Sequence, residues 1–181
     1  MSTNRYSTGA MTLHWAIAIA VIVNWRLAEA AEHAPRDQQL AVLGPHMATG
    51  ILVLVLTLLR LVWRLGHTPP PLQQGLAKWE VVLAKSVHFI FYVLLLALPL
   101  MGWIGTSMQG HPIDFFGLFT VPMLPTAADD RGGEELLELH GTMGTIMIYL
   151  IGLHILGALK HHFWDKSGAL WRMLPFGTPK A

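Results

Sequence analysis

Two histidines in one apolar stretch have a spacing that suits the binding of two separate groups. His140 and His154 lie fourteen residues apart, and fourteen residues turn an α-helix through about 1400°, within roughly 40° of whole turns. Both imidazoles therefore share one helix face, about 21 Å apart along the axis. A single metal ion held by two histidines of one helix favours an i, i+4 spacing. The longer spacing instead favours two planar groups, one near each end of the helix.

Two further histidines supply partners at the same depths. His14 begins the first apolar stretch and His46 begins the second, so the two lie at opposite faces of a membrane. Depth alone then pairs His14 with His154 at one face and His46 with His140 at the other. Each pair can hold one haem iron through both axial positions, which suits electron transfer because no position stays open for oxygen. The alternatives are four unrelated interfacial histidines, or a transition-metal transporter, which would need ligands at the membrane centre.

The elements that position these histidines are four apolar stretches. The chain of 181 residues is 53% hydrophobic and only 13% charged, against about 25% charged in soluble domains. A membrane helix needs about 20 mostly apolar residues. We therefore expect an all-α integral membrane four-helix bundle, as one transmembrane domain over 1–181. Its expected spans are 11–31, 46–63, 87–106 and 140–159, the third with a kink at Pro99.

Composition excludes several other classes. The net charge of +1 gives no reason to expect nucleic-acid binding, and the lack of Cys excludes disulfides, thiolate metal sites and covalent haem attachment through cysteine. The first span contains Asn24, Trp25 and Arg26, which the core of a signal peptide does not need. We therefore expect that this span is retained rather than cleaved.

Charged residues are distributed unevenly over the two sides of the predicted bundle. One side holds both termini and the loop after the second span, and its basic residues are Arg5, Arg60, Arg64, Lys78, Lys85, Lys160, Lys166, Arg172 and Lys180. The other side has Arg26, Arg36 and Arg131, together with nine of the eleven acidic residues. The positive-inside rule therefore predicts that both termini are cytoplasmic.

The longest connection, 107–138, divides into two parts. Its first half is apolar and aromatic, and its second half is acidic and contains glycine. We expect the first half to lie in the membrane–water interface at the outer face of the bundle, as a short helix or lid. The alternative is that this half is a flexible interfacial anchor without fixed structure.

The other polar candidates lie near the expected haem sites. His88 begins the third span near the level of His14, as an alternative ligand, a donor to a ligand or a contact for a haem propionate. Lys160, His161 and His162 form a basic cluster at the end of the fourth span. This cluster could bind propionates or a quinone headgroup or pass protons, and the alternative is ordinary charge placement at a helix end. Further candidate propionate contacts are Lys85 and Arg36, while we expect surface positions for His33, His67 and His111.

Short motifs along nearly the whole chain resemble those of the bacterial cytochrome b561 family. They are Tyr6-Ser7, Leu13-His14-Trp15, His46-Met47-Ala48-Thr49-Gly50, Leu58-Leu59-Arg60, His88, Ala97-Leu98-Pro99, Gly102, His140, Gly152-Leu153-His154, Leu159-Lys160-His161-His162-Phe163 and Leu170-Trp171-Arg172-Met173-Leu174-Pro175. The resemblance implies a four-helix bundle in the bacterial inner membrane with two haem b groups. It places the axial ligands at His14, His46, His140 and His154.

The resemblance also implies an activity. Similar proteins oxidise superoxide and reduce ubiquinone, and others are cytochrome subunits that relay electrons from a partner dehydrogenase or hydrogenase to quinone. The acidic outer loops are an obstacle to the first activity, because negative charge repels an anion. A local positive funnel would need His33, Arg36, His111 and Arg131 to lie together.

Overall fold

The computed structural model describes residues 5–71 and 76–174, which form four long α-helices and a two-stranded sheet. The elements in chain order are α1 (Thr8–Glu32), α2 (Gln39–Gly66), α3 (Lys78–Met108), β1 (Ile113–Phe115), β2 (Phe119–Val121) and α4 (Asp130–Leu159). Each predicted span lies inside one of these helices, so the predicted four-helix architecture is confirmed. Pro175 and Lys180, which the sequence analysis used, lie outside the described residues.

The helices run alternately up and down. We call the end of the bundle with the sheet the hairpin end; it contains residues 24–46 and 102–141. The opposite end, with residues 5–15, 60–71, 78–92 and 154–174, is the terminal end. Within the bundle α1 packs against α2, α2 against α3, and α3 against α4. Each helix therefore carries residues to both ends.

Local hydrogen bonds fix where the helices begin. The Ser7 hydroxyl accepts a bond from the Ala10 N–H at 3.4 Å, and the Asp129 carboxylate accepts one from the Gly132 N–H at 3.0 Å. At the start of α3 the Glu80 carboxylate accepts a bond from the Ala77 N–H. These side chains satisfy N–H groups that the first helical turn leaves without partners. The beginnings of α1, α3 and α4 are therefore encoded locally.

The interior of the bundle is small. A buried cluster of Leu94, Leu98 and Met147 joins α3 to α4 at mid-length, while Thr57 in α2 is fully buried and donates to the Val53 carbonyl. Most other apolar side chains of the spans face outward. All four helices are long and apolar enough to cross a membrane. Their outward apolar surface is therefore a lipid-facing surface, as expected of a bacterial membrane protein.

The connection 107–138 differs from the expected loop in two ways. Its apolar half forms an antiparallel hairpin, with β1 paired to β2, rather than a short helix. Its acidic half, from Asp130, is the first part of α4, which therefore begins ten residues before the predicted span. The aromatic and β-branched residues of 113–121 favour a strand. The carboxylate of Asp129 at the N-cap and Asp130 in the first turn favour a helix start, which the apolar-span criterion does not register.

The chain ends meet at the terminal end. The Tyr6 N–H donates to the Arg172 carbonyl at 3.2 Å, and the Trp15 indole N–H donates to the Met173 carbonyl at 2.7 Å. After α4 the chain makes one π-helical turn, Lys160–Trp164, and then a short 3₁₀ helix, Ala169–Arg172. The segment after α4 thus folds back against the start of α1.

Candidate functional site

At the hairpin end, two histidines on different helices face each other. The ring centroids of His46 on α2 and His140 on α4 lie 5.9 Å apart, with the ring planes at 90°. Metal–imidazole bonds are about 2 Å long, so two imidazoles on opposite sides of one metal have centroids about 6 Å apart. The observed separation therefore fits two axial ligands of one metal.

Backbone carbonyls hold both rings of this pair. The Nδ1 of His46 lies 3.0 Å from the Asn24 carbonyl oxygen, and the Nδ1 of His140 lies 2.9 Å from the Leu98 carbonyl oxygen. Since a carbonyl only accepts hydrogen bonds, each Nδ1 carries the hydrogen and each Nε2 keeps its lone pair. Histidine ligands of metals in proteins show this same bond from the nitrogen that does not bind the metal. Both rings are therefore oriented as ligands.

A cavity of about 420 Å³ surrounds this pair and extends to the middle of the bundle. Its volume lies within the range of roughly 300–1,000 Å³ usual for cofactor pockets. Its inner wall is apolar and includes Leu94 and Met147, while its rim includes Glu29, Glu32 and His111. Among the described residues, the lining contains no lysine or arginine. The cavity is therefore an apolar slot between the helices with an acidic rim.

Glycines keep the cavity open beside His140. A Cβ added at Gly141 or Gly144 would meet no atom within 4 Å, and both residues line the cavity. At Gly102 of α3 the added Cβ would lie 3.4 Å from the Cε1 of His140, so this glycine gives the ring its space. Two backbone surfaces therefore face empty space, as a flat, bulky cofactor requires.

At the terminal end, three histidines lie together. The centroids of His14 and His154 are 6.5 Å apart, and those of His88 and His154 are 5.6 Å apart. Either separation is close to that of two axial ligands of one metal. His88 is more exposed than His14, which lies on a partly buried face of α1. The structure thus brings together the predicted pair of His14 and His154 and adds His88 beside it.

The basic cluster after α4 is an ion-pair network. Lys160 lies 2.7 Å from Glu80 and 2.9 Å from Asp165, and His161 lies 2.6 Å from Asp165. The hydrogen bond from Lys160, together with that from His161, holds the pKa of the Asp165 carboxyl below its usual value. His162 packs against the Trp171 ring, and its buried Nδ1 has no hydrogen-bond partner within the described residues. The carboxylates therefore neutralise much of the positive charge expected here.

The other predicted contacts are more scattered. Lys85 and Arg36 are exposed, and Arg36 does not line the cavity. Of the four residues of the hypothetical positive funnel, only His111 lines the cavity, while Arg131 pairs with Glu135 at 3.0 Å. His33 is exposed and bonds to the Glu29 carbonyl. Three of these four residues therefore lie outside the cavity lining.

Sequence reasoning did not find the carbonyls of Asn24 and Leu98 or the position of His111 at the cavity rim. Every residue has a carbonyl, so the sequence carries no signal for the first two. Gly102 lies fourteen residues after His88, so the sequence places a glycine rather than a histidine on the third span at the depth of the outer histidines. The structure shows that a Cβ at this position would lie against the His140 ring, 3.4 Å from its Cε1.

The whole described bundle matches one protein family. The model of the prokaryotic cytochrome b561 family matches residues 5–176. The chain belongs to this family. Membership implies haem b binding, and the cytochrome's paired histidines, free Nε2 atoms and open cavity fit such a group.

Curated relatives agree with this membership. The cytochrome is 32% identical over 171 residues to a Yersinia pestis protein named probable superoxide oxidase CybB, covering 94% of this chain and 96% of the relative. It is 28% identical over 174 residues to cytochrome b561 homolog 1 of Escherichia coli K12, covering 95% and 98% of the two chains. The same organism's cytochrome b561 homolog 2 is 33% identical over 130 residues, covering 71% and 68%. The predicted membership is thereby confirmed, and the chain is a membrane electron-transfer protein.

Proposed function

We propose that this cytochrome carries electrons across the bacterial inner membrane through two haem b groups. His46 and His140 hold one group at the hairpin end, and His14 and His154 hold the other at the terminal end. The observation that carries the proposal is the facing pair His46 and His140, with both Nδ1 atoms bonded to backbone carbonyls and both rings lining one open cavity. When bound, haem supplies one-electron chemistry through the two oxidation states of its iron.

The protein's own residues restrict that chemistry. The Asn24 and Leu98 carbonyls orient the two rings, so that a ligand exchange would break a hydrogen bond. Two histidine ligands on one haem iron would leave no position open for oxygen. The apolar inner wall, with Leu94 and Met147, excludes water from the middle of the bundle. These features favour electron transfer over oxygen activation.

Superoxide is the proposed electron donor. The support is the name of the Yersinia pestis relative, probable superoxide oxidase, which covers almost the same length of chain. Two superoxide anions would each lose one electron at the hairpin end and leave as oxygen. One ubiquinone would take up the two electrons and two protons. The excess of basic residues at the terminal end supports an orientation with both termini in the cytoplasm.

The proposed quinone contact is the network at the terminal end. His161 shares its Nδ1 hydrogen with Asp165, which leaves Nε2 as the atom that can hold or give a proton. It lies in the π-helical turn Lys160–Trp164, and such turns are frequent at functional sites. Lys160 and Glu80 fix the position of Asp165 and the start of α3. We propose that His161 delivers a proton to the reduced quinone.

The second candidate is a cytochrome subunit that relays electrons from a partner dehydrogenase or hydrogenase to quinone. The observation that favours it is the charge of the hairpin end, with nine carboxylates and three arginines. This charge repels superoxide and attracts a basic protein. A partner of this kind would copurify with the cytochrome as a flavin, iron–sulfur or c-type subunit.

The haem content of purified variants tests the ligand proposal. We expect two haems per chain in the wild type and one in His140→Ala, because the two histidine pairs share no residue. His111→Ala is the matched control, since His111 also lines the cavity but has no facing histidine. Full haem content in His140→Ala would refute the assignment at the hairpin end.

Rapid mixing with superoxide distinguishes the two donors. Reduction of the isolated wild-type cytochrome within the mixing time would support superoxide as the donor. Haem that stays oxidised with superoxide and becomes reduced with a copurifying redox subunit would support the relay.

A further inference from the structure

The two faces of the hairpin differ in polarity. The antiparallel register pairs Ile113 with Val121, Asp114 with Thr120, and Phe115 with Phe119. Because side chains alternate along a strand, the first and third pairs share one face and the second pair lies on the other. One face is therefore entirely apolar, and the opposite face is polar.

The apolar face extends beyond the bundle. Ile113 and Val121 are only 2% and 7% exposed, and β1 packs against α2. Further along the same face, the rings of Phe115 and Phe119 stack with their centroids 4.8 Å apart, and Phe119 is 57% exposed. The inner part of this face is covered by protein, and the outer part is not.

The turn of the hairpin is built with an unfavourable residue. Phe116 and Gly117 both have positive φ, 53° and 73°, and the Leu118 N–H donates to the Phe115 carbonyl at 3.0 Å. Turns with two positive φ values favour Asn-Gly, because a bulky side chain is disfavoured in the left-handed region. An exposed phenylalanine at such a position is a backbone outlier, and such outliers are common at functional sites. Leu118 beside it is 76% exposed.

The hairpin is fixed at the depth where the third span ends. The Trp103 indole N–H donates to the Pro122 carbonyl at 3.0 Å, and the Leu124 N–H donates to the Ser107 hydroxyl at 3.1 Å. Both bonds tie the hairpin segment to the last two turns of α3. Its exposed apolar side chains therefore lie at the end of a helix that is long and apolar enough to cross a membrane.

We propose that the hairpin inserts its apolar edge into the membrane interface, so that its binding partner is the lipid surface. The edge consists of Phe115, Phe116, Leu118 and Phe119, and aromatic side chains favour the headgroup level of a bilayer. The polar face then lies in water, where the Asp114 carboxylate accepts a bond from the Gly117 N–H at 2.7 Å. The proposal does not depend on the electron donor or on haem.

The same insertion closes one side of the cavity. Ile113 lines the cavity around His46 and His140. It lies on the same face of the hairpin as Phe115 and Phe119, which belong to the inserting edge. A hairpin held by the membrane therefore keeps Ile113 in place as a wall between the cavity and the membrane surface.

Spin labels on the two faces test the proposal. The chain has no Cys, so Leu118→Cys and Thr120→Cys each give a single nitroxide site in the full chain, reconstituted in phosphatidylcholine vesicles. We expect the label at 118 to be more accessible to oxygen, which concentrates in lipid, than to a water-soluble nickel chelate. The label at 120, two residues away on the polar face, should show the reverse. Equal, water-like accessibility at both sites would overturn the proposal.

Other outcomes identify other partners. Protection at 118 from both reagents, with spin–spin broadening between labels, would show a second copy of this chain instead of lipid and would overturn the proposal. Phe116→Asn in the Leu118→Cys background creates the favoured Asn-Gly turn and removes the aromatic ring. We expect that the label then moves toward water while the hairpin stays folded. An unchanged lipid exposure would show that the tip does not anchor the hairpin.

Discussion

Replacement of Gly102 by alanine tests how tightly the structure fixes His140. The new Cβ would lie 3.4 Å from the His140 Cε1 and 3.6 Å from its Nδ1, whereas carbon atoms prefer about 3.5–4.0 Å. The ring must therefore shift by a few tenths of an ångström. Its bond to the Leu98 carbonyl, now 2.9 Å, would lengthen toward the limit of about 3.2 Å for a good hydrogen bond.

The expected size of the effect follows from that bond. A hydrogen bond contributes about 0.5–1.5 kcal/mol net, and loss of a bond that orients a metal ligand costs about 10–100-fold in metal affinity. For Gly102→Ala, where the bond is weakened rather than lost, we expect about a 3–10-fold weaker haem affinity at the hairpin end. The apoprotein should be no less stable, because alanine is favoured over glycine inside a helix by about 0.5–1 kcal/mol.

Haemin titration of the apoprotein, followed by its low-spin ferric spectra, measures the affinity at each end. Gly152→Ala is the matched control, since Gly152 lies in α4 outside the cavity lining and its added Cβ would meet no atom within 4 Å. Wild-type affinity in Gly102→Ala would refute the inference that the ring position limits binding. An equal loss at both ends would indicate general damage to the bundle instead.

Three more results are expected. Reduction by superoxide should accelerate severalfold when ionic strength rises from about 0.01 to 0.5 M, because salt screens the repulsion by the carboxylates of the hairpin end; stopped-flow rates that fall with salt would contradict this. His161→Ala should slow quinone reduction and leave both haems bound, and unchanged turnover would count against the proton role. His88→Ala is the control, and it should keep both haems because His14 is the proposed partner of His154. The pKa of the Asp165 carboxyl is lowered, which means that folding favours its ionised form. Its bonds to Lys160 and His161 should therefore persist as pH falls below the usual pKa of aspartate, and they should be lost only when pH falls through the lowered pKa. Carbon-13 NMR of the Asp165 carboxyl would show an ordinary titration if this is wrong.

The sequence predicted the helices and the facing histidines because both depend on simple periodicity. Apolar length identifies a span, and the turn per residue places His140 and His154 on one face. Depth then brought His46 opposite His140 without any knowledge of side-chain contacts. The structure brings the predicted pairs together, and their role as haem ligands is a proposal that the haem counts will test.

Other features depend on contacts that periodicity does not describe. The carbonyl acceptors of the two rings are backbone atoms, which every residue has. The hairpin at 113–121 forms because its strands pair with each other and seat Ile113 against the bundle. The position of His161 depends on the change from α-helix to a π-helical turn at Lys160, which α-helical periodicity does not describe.

The pairing of one histidine from α1 and one from α2 with partners on α4 has a consequence for biosynthesis. Each pair takes one member from α4, namely His140 or His154, and this helix leaves the ribosome after α1, α2 and α3. While only the first three helices have been inserted, His46 has no partner opposite it, and the segment that bonds to Trp15 has not yet been made. Both proposed haem sites are therefore completed only when α4 is in place, and we expect haem delivery to follow synthesis of this helix rather than to precede it.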